Sequence, residues 1–259
     1  MKYWTILRAC IRTSFASAIT YRANFLLSTV ISLLSNVLFP LVTILIYKSG
    51  ASFPGWNFYE ALLIQAVFML STAVAGIFFN GVIWDTMQCI VQGTFEVALI
   101  KPVDTLFYLT ARSVQIDSVG ILAGGIILLT TALLHITPPT FWMWLQFSLL
   151  FIAGLCVMLG ISLIMAAASF KWVGNSRIPE IFDSITSFGR YPQSIFPKAI
   201  QSFSAFVIPV AMIGFFPASA LLEPVQPYAF AAMIPCVLFA FLGIWLYKHM
   251  IHLYESAGG

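Results

Sequence analysis

Long stretches of this chain carry no charge at all. Arg22 and Lys48 enclose one such run, Glu60 and Asp85 a second, Asp117 and Lys171 a third, Lys198 and Glu223 a fourth, and Glu223 and Lys248 a fifth. The third is interrupted by HITPPT at His135–Thr140, so it holds two spans. A helix needs roughly 20 apolar residues to cross a hydrocarbon core of about 30 Å. Backbone groups in lipid must be paired within the segment, which makes such spans helical. Soluble domains carry about a quarter charged residues, whereas this one has 8% charged and 61% hydrophobic. So few charges cannot cover a soluble surface. The sequence therefore predicts an all-α integral membrane protein with six transmembrane helices.

The seven tryptophans fit these borders. Trp56 and Trp84 flank the second span, Trp142 and Trp144 open the fourth, and Trp172 closes it. Trp245 sits near the end of the last span, and Trp4 lies in the N-terminal segment. Indole rings favour the headgroup region, and Lys and Arg accumulate on the cytoplasmic side. With six plain spans only Lys48 falls outside, so both termini are expected in the cytoplasm. A net charge of +3 without a basic cluster gives no nucleic-acid surface. The first apolar run is too long and starts too late for a cleaved signal peptide. Cys10, Cys89, Cys156 and Cys236 are scattered, which predicts reduced thiols.

Three pieces lie outside the plain spans. Residues 2–20 place Trp4, Leu7, Ile11, Phe15 and Ala18 on one helical side, with Arg8 and Arg12 beside it. That pattern predicts an interfacial helix. The loop 85–113 is long, mixed in charge and punctuated by Gly93 and Pro102. It predicts a short amphipathic helix ended at Lys101-Pro102, because the residue before proline leaves helical space. Between Ser176 and Pro197 the chain carries Arg177, Glu180, Asp183 and Arg190, together with three prolines.

Several chemistries have no residues to support them. There is no phosphate-binding G-x-x-x-x-G-K-[ST], no H-E-x-x-H and no G-x-S-x-G. No catalytic or metal-binding residues are expected, and His135, His249 and His252 read as solvated interfacial side chains. Gly120-x-x-x-Gly124 permits a close helix contact.

Two stretches carry a family resemblance. QGTFEVALIKPVDTLF, at Gln92–Phe107, and FGRYPQSIFPKAIQSFSAFVIPVAMIGFFPASALL, at Phe188–Leu222, resemble ABC-2 type permeases of ABC exporters, in particular a viologen-exporter-like branch. GWNFYEALLIQAVF, at Gly55–Phe68, is similar to that branch's start of the second span. The resemblance implies a permease subunit that moves a hydrophobic or amphipathic substrate out across the bacterial inner membrane. ATP and Mg would be bound by separate ABC ATPase subunits, and no cofactor by this chain. A second permease, identical or different, would complete the pore among the membrane lipids. The loop after the second span would be the coupling helix, with Asp85, Gln92, Gly93, Glu96, Lys101, Pro102 and Asp104 facing the ATPase.

The resemblance also implies a re-entrant helical hairpin before the last span. On that reading 24–47, 60–84, 117–135 and 141–170 are spans 1 to 4. Residues 172–190 form a polar fifth span, 198–222 the hairpin, and 226–248 the last span. Hydropathy alone makes 172–190 a cytosolic loop and 198–222 a plain span. Both readings give six crossings. Arg177, Glu180, Asp183, Arg190, Pro192, Pro197 and Pro209 are then candidates for the translocation path or its gate. A scaffold without transport activity, or an ion-coupled transporter using Glu180 and Asp183, are the alternative functions.

Overall fold

The computed structural model describes residues 2–175, 177–223 and 227–254. Helix α1 (Lys2–Thr20) runs into α2 (Arg22–Lys48) with a turn at Tyr21. Then come α3 (Phe58–Ala75), a π-helical turn (Gly76–Asn80) and α4 (Gly81–Val91), which form one continuous rod. Short helices α5 (Phe95–Leu99) and α6 (Thr105–Arg112) lead to α7 (Val119–Leu133) and the long α8 (Phe141–Lys171). Beyond α9 (Arg177–Ser187) the chain breaks into α10 (Lys198–Phe206), α11 (Phe215–Ala220) and α12 (Pro227–Ala231). Helix α13 (Met233–His252) closes the bundle. Among the described residues there is no strand, and five helical stretches are long and apolar enough to cross a membrane. The chain is a multi-pass, all-helical membrane protein.

Hydropathy's plain span between Lys198 and Glu223 is not one helix: α10, a 3-10 turn at Val210–Met212 and α11 divide it. Pro209 lacks the N–H that a continuous helix would need there. The helix entering the 85–113 loop also continues past Trp84 to Val91, because the first residue that stops it is Gly93. Gln226, the expected start of the last span, and Ser176 lie outside the described residues.

The α3–α4 rod lies at the centre. Its start is set by Glu60, whose carboxylate accepts the Asn57 N–H at 2.8 Å, reaching back to the cap as in a capping box. Helix α7 packs along α3, and α13 along α8. Small residues set both distances. A Cβ on Gly243 of α13 would lie 2.7 Å from the Gly160 carbonyl oxygen of α8. Gly120 and Gly124 are used inside the chain: the first meets Thr29 of α2, the second Leu33 of α2 and Met69 of α3. Lower in the bundle the buried Tyr247 hydroxyl pairs with Thr86 Oγ1 at 2.8 Å, tying α13 to α4. By contrast α2 is mostly uncovered, with 11% of its most apolar window buried.

Backbone cannot yield as a flexible side chain does. Gly243→Ala should therefore push α13 off α8 and cost about 1–3 kcal/mol, the usual range for overpacking. Thermal unfolding of purified protein checks this; an unchanged melting temperature contradicts the close crossing.

Candidate functional site

Two regions hold the sequence-marked residues, and they are separate. The first follows α4. Gly93, at φ +65°, ends the helix as a left-handed C′ residue. Its N–H donates to Ile90 O at 3.2 Å and the Thr94 N–H to Cys89 O at 2.9 Å, the paired bonds of a Schellman stop. Gln92 sits exposed at the cap, its Nε2 donating to Gln88 Oε1 at 3.3 Å. The chain then makes the five-residue helix α5.

Spacing of three divides α5 into two faces. Phe95 and Ala98 are buried, the former completely. The Phe95 ring meets Phe170 of α8 at 5.0 Å and Tyr254, just past α13, at 4.9 Å. Glu96, Val97, Leu99 and Ile100 face outward, and Ile100 is 78% exposed. Lys101 and Pro102 are exposed where the helix stops. Asp104 starts the next helix by accepting the Phe107 N–H at 3.0 Å, and its other oxygen accepts from Lys248 Nζ at 2.8 Å. Asp85 pairs with Arg112 at 2.9 Å. The loop is thus fixed at three points, while its outer face stays free.

Burial alone would raise the Asp104 carboxyl. The hydrogen bonds from Lys248 and Phe107, and the ammonium charge, hold it below the usual carboxylate range.

The second region runs from α9 to α11. Ile178, Phe182 and Thr186 face inward, whereas Arg177, Glu180 and Asp183 form an exposed row on the same helix. Arg190 follows on a 3-10 turn (Phe188–Arg190). Its guanidinium lies 3.7 Å from the Phe39 ring centre and 4.6 Å from that of Phe68, between α2 and α3. Gly189 and Gly214 let the broken backbone lie flat: a Cβ on Gly214 would collide with the Gly189 carbonyl and the Phe68 side chain. A Cβ on Gly154 of α8 would likewise strike the Met212 carbonyl.

The Ile213 and Phe196 carbonyls of this stretch accept side-chain hydrogen bonds, and a side-chain pair lies across it. Ser71 Oγ of α3 donates to Ile213 O at 2.7 Å, and Gln193 Nε2 to Ser204 Oγ at 2.9 Å. Gln201 Nε2 donates to Phe196 O at 2.8 Å. Pro192 and Pro209 are buried, and Pro197 is exposed at the cap of α10.

Contacts fix the two ends of this stretch. Ser194 Oγ donates to Pro54 O at 3.0 Å, and Phe215 packs on Trp56 at 5.6 Å between ring centres. Glu223 lines a cavity with Glu60 and His135, and His135 stacks on Tyr59 at 4.0 Å. The stretch thus meets the segment before α3 through Ser194 and Phe215, while Ile213 between them is bonded to Ser71 within α3.

The sequence had marked Asp85, Asp104 and Arg190 but not their partners Arg112, Lys248, Phe39 and Phe68. Nor had it marked Phe95 or Gln65. The polar Gln65 within an apolar span was a visible signal. The pairing of Lys248 with Asp104 leaves none.

A family model described as ABC-2 family transporter protein matches residues 31–258. No curated protein and no solved structure matches the chain.

A depressed carboxyl stabilises the fold above its unfolded pKa, and this is lost as pH falls through the lower folded value. Asp104→Asn keeps the cap but removes the ion pair, and should cost under about 1 kcal/mol at such an exposed site. The melting difference from wild type should hold from neutral pH down to the carboxylate range, then close below about 3.9, the unperturbed Asp value. A difference that widens in acid contradicts the pairing.

Proposed function

The chain belongs to the ABC-2 family of transporter proteins, and on that premise we propose that it is the permease subunit of an ATP-driven exporter. Nucleotide is bound and hydrolysed, with Mg, on separate ABC ATPase subunits. The observation that carries this reading is the two-faced α5. Its inner face is plugged by Phe95, while Glu96, Val97 and Ile100 stand exposed on a helix too short to be stable alone. A fixed element with an uncovered mixed face suits a groove on a partner.

The rod above α5 suits force transmission. Phe58–Val91 spans 34 residues, which at 1.5 Å per residue is about 50 Å. Movement imposed at Gly93–Ile100 by closing ATPase subunits would tilt a helix that packs against α7, α8 and the broken segment. Asp85, Gln92, Lys101, Pro102 and Asp104 belong to this coupling element as contacts or clamps.

On this reading α9 and residues 188–194 make a sixth crossing, and α10–α11 form a re-entrant hairpin on the outer side. Both termini are cytoplasmic, the membrane is the bacterial inner membrane, and α1 lies in its inner interface. The largely uncovered α2 faces lipid or a second permease, identical or different. Arg177, Glu180, Asp183 and Arg190 border the translocation path, with Pro192, Pro197 and Pro209 shaping its outer wall. A charged row within a bundle is tolerated where it meets water or protein, not lipid. The substrate is hydrophobic or amphipathic.

Co-expression with the ATPase and reconstitution in lipid tests the proposal. Val97→Asp and Ile100→Asp should each lower permease-stimulated ATP turnover about fivefold or more, the loss of about 1 kcal/mol that marks a contributing interface residue, while leaving the permease folded. Unchanged stimulation sinks the coupling assignment. Uphill transport by the permease without ATPase sinks the proposal.

A further inference from the structure

Residues with unpartnered polar groups line one cavity between α2, α3 and Arg190. Gln65 is 2% exposed, and its Nε2 donates to Thr43 Oγ1 at 2.6 Å. Its Oε1 is buried and has no partner among the described residues. The Arg190 Nε and Nη1 are also buried without one. The guanidinium carbon lies over the Phe39 and Phe68 rings. Within α2, Pro40 supplies no N–H to the Asn36 carbonyl four residues earlier. The Asn36 side chain is engaged elsewhere, its Nδ2 donating to Ser32 O at 2.9 Å.

Asn36, Pro40, Gln65, Met69 and Arg190 line one cavity, with about 10 Å³ open to a water-sized sphere. That is the lower limit for one water molecule. Orphaned buried polar groups are costly, and native proteins satisfy them with protein or ordered water. We infer that this cavity is a binding site for a single water molecule that accepts from the Arg190 guanidinium and donates to Gln65 Oε1 and the Asn36 carbonyl.

The lining chemistry selects the occupant. A metal cation is opposed by the guanidinium. An anion is opposed by the amide and carbonyl oxygens. An apolar group would leave all of them unpaired and is too large. Water both donates and accepts, and so serves one guanidinium N–H and the two oxygens at once. The bridge joins α2, α3 and the broken segment at the level of Arg190. The inference is independent of the transport reading, since it rests on unpaired atoms and volume.

X-ray radiolytic labelling tests it on the full chain in lipid nanodiscs. Hydroxyl radicals formed from a bound water oxidise the side chain beside it. Met69 lines the cavity although it is 2% exposed, whereas Met158 and Met212, at 1% and 0%, are equally buried and lie elsewhere. Met69 should oxidise several-fold faster than both. Gln65→Leu, which removes the acceptor and fills the space, should bring it down to their rate. Gln65→Glu keeps an acceptor and should keep the fast labelling, so the test survives if the leucine variant does not fold. Equal protection of all three methionines in the wild type would overturn the inference. So would a melting temperature that rises with bromide over gluconate at constant ionic strength and loses that rise in Gln65→Glu, because the occupant would then be an anion.

Discussion

A backbone that leaves the helix inside a membrane must find new partners for every freed N–H and C=O, because lipid offers none. The stretch from Phe188 to Gly214 breaks repeatedly, and polar side chains both within it and on α3 lie against the breaks. Ser71 on α3 caps the Ile213 carbonyl, Gln193 and Ser204 bond each other, and Gln201 serves the Phe196 carbonyl. Three glycines, Gly154, Gly189 and Gly214, bring backbone against backbone so closely that little room is left for solvent or lipid. The clefts on α3 and α8 that receive this segment therefore have both a shape and a polarity requirement, which a plain span would not impose.

The bundle combines long, closely crossed helices with short, charged segments at its margins. Helices α3, α4, α7, α8 and α13 are long, locked by small-residue crossings and by the buried Thr86–Tyr247 pair. Segments with charge or short helices sit at the margins: α5, held by an aromatic plug and two ion pairs, and α9, with its outward Arg177, Glu180 and Asp183. That combination suits a protein moved from outside, since an external push needs a stiff lever and a handle. Family membership in the ABC-2 transporters and the two-faced α5 support the same reading from different directions.

Much of this was legible in the residues. Uncharged runs, the one between Lys198 and Glu223 excepted, announce spans because their length must match the lipid, and Gly93 and Lys101-Pro102 bracket α5 through backbone conformation alone. The break at Pro209 came only through the family resemblance, since hydropathy alone read 198–222 as a plain span. Other features are written in three dimensions. Ser71 and Ile213 lie 142 residues apart, and nothing in either neighbourhood points to the other. Trp84 looked like a boundary because indole favours interfaces, yet a side chain's preference for an interface does not stop a helix; the glycine further on does. Gly120 and Gly124 signalled close packing correctly in kind, but a spacing rule cannot say that the partner is α2 of the same chain. The charge of Arg190 was visible, whereas the aromatic rings that accept it came from two distant helices.

The central claim is that the chain crosses between Arg177 and Ser194, so that Ser194 lies on the same side as Pro54, with Pro209–Ile213 returning inward. Sided thiol labelling of Ser194→Cys, in a background with Cys10, Cys89, Cys156 and Cys236 replaced, tests it directly. An impermeant reagent applied to intact cells from outside should modify the site. Modification only when the cytosolic face of inverted vesicles is exposed would contradict the account.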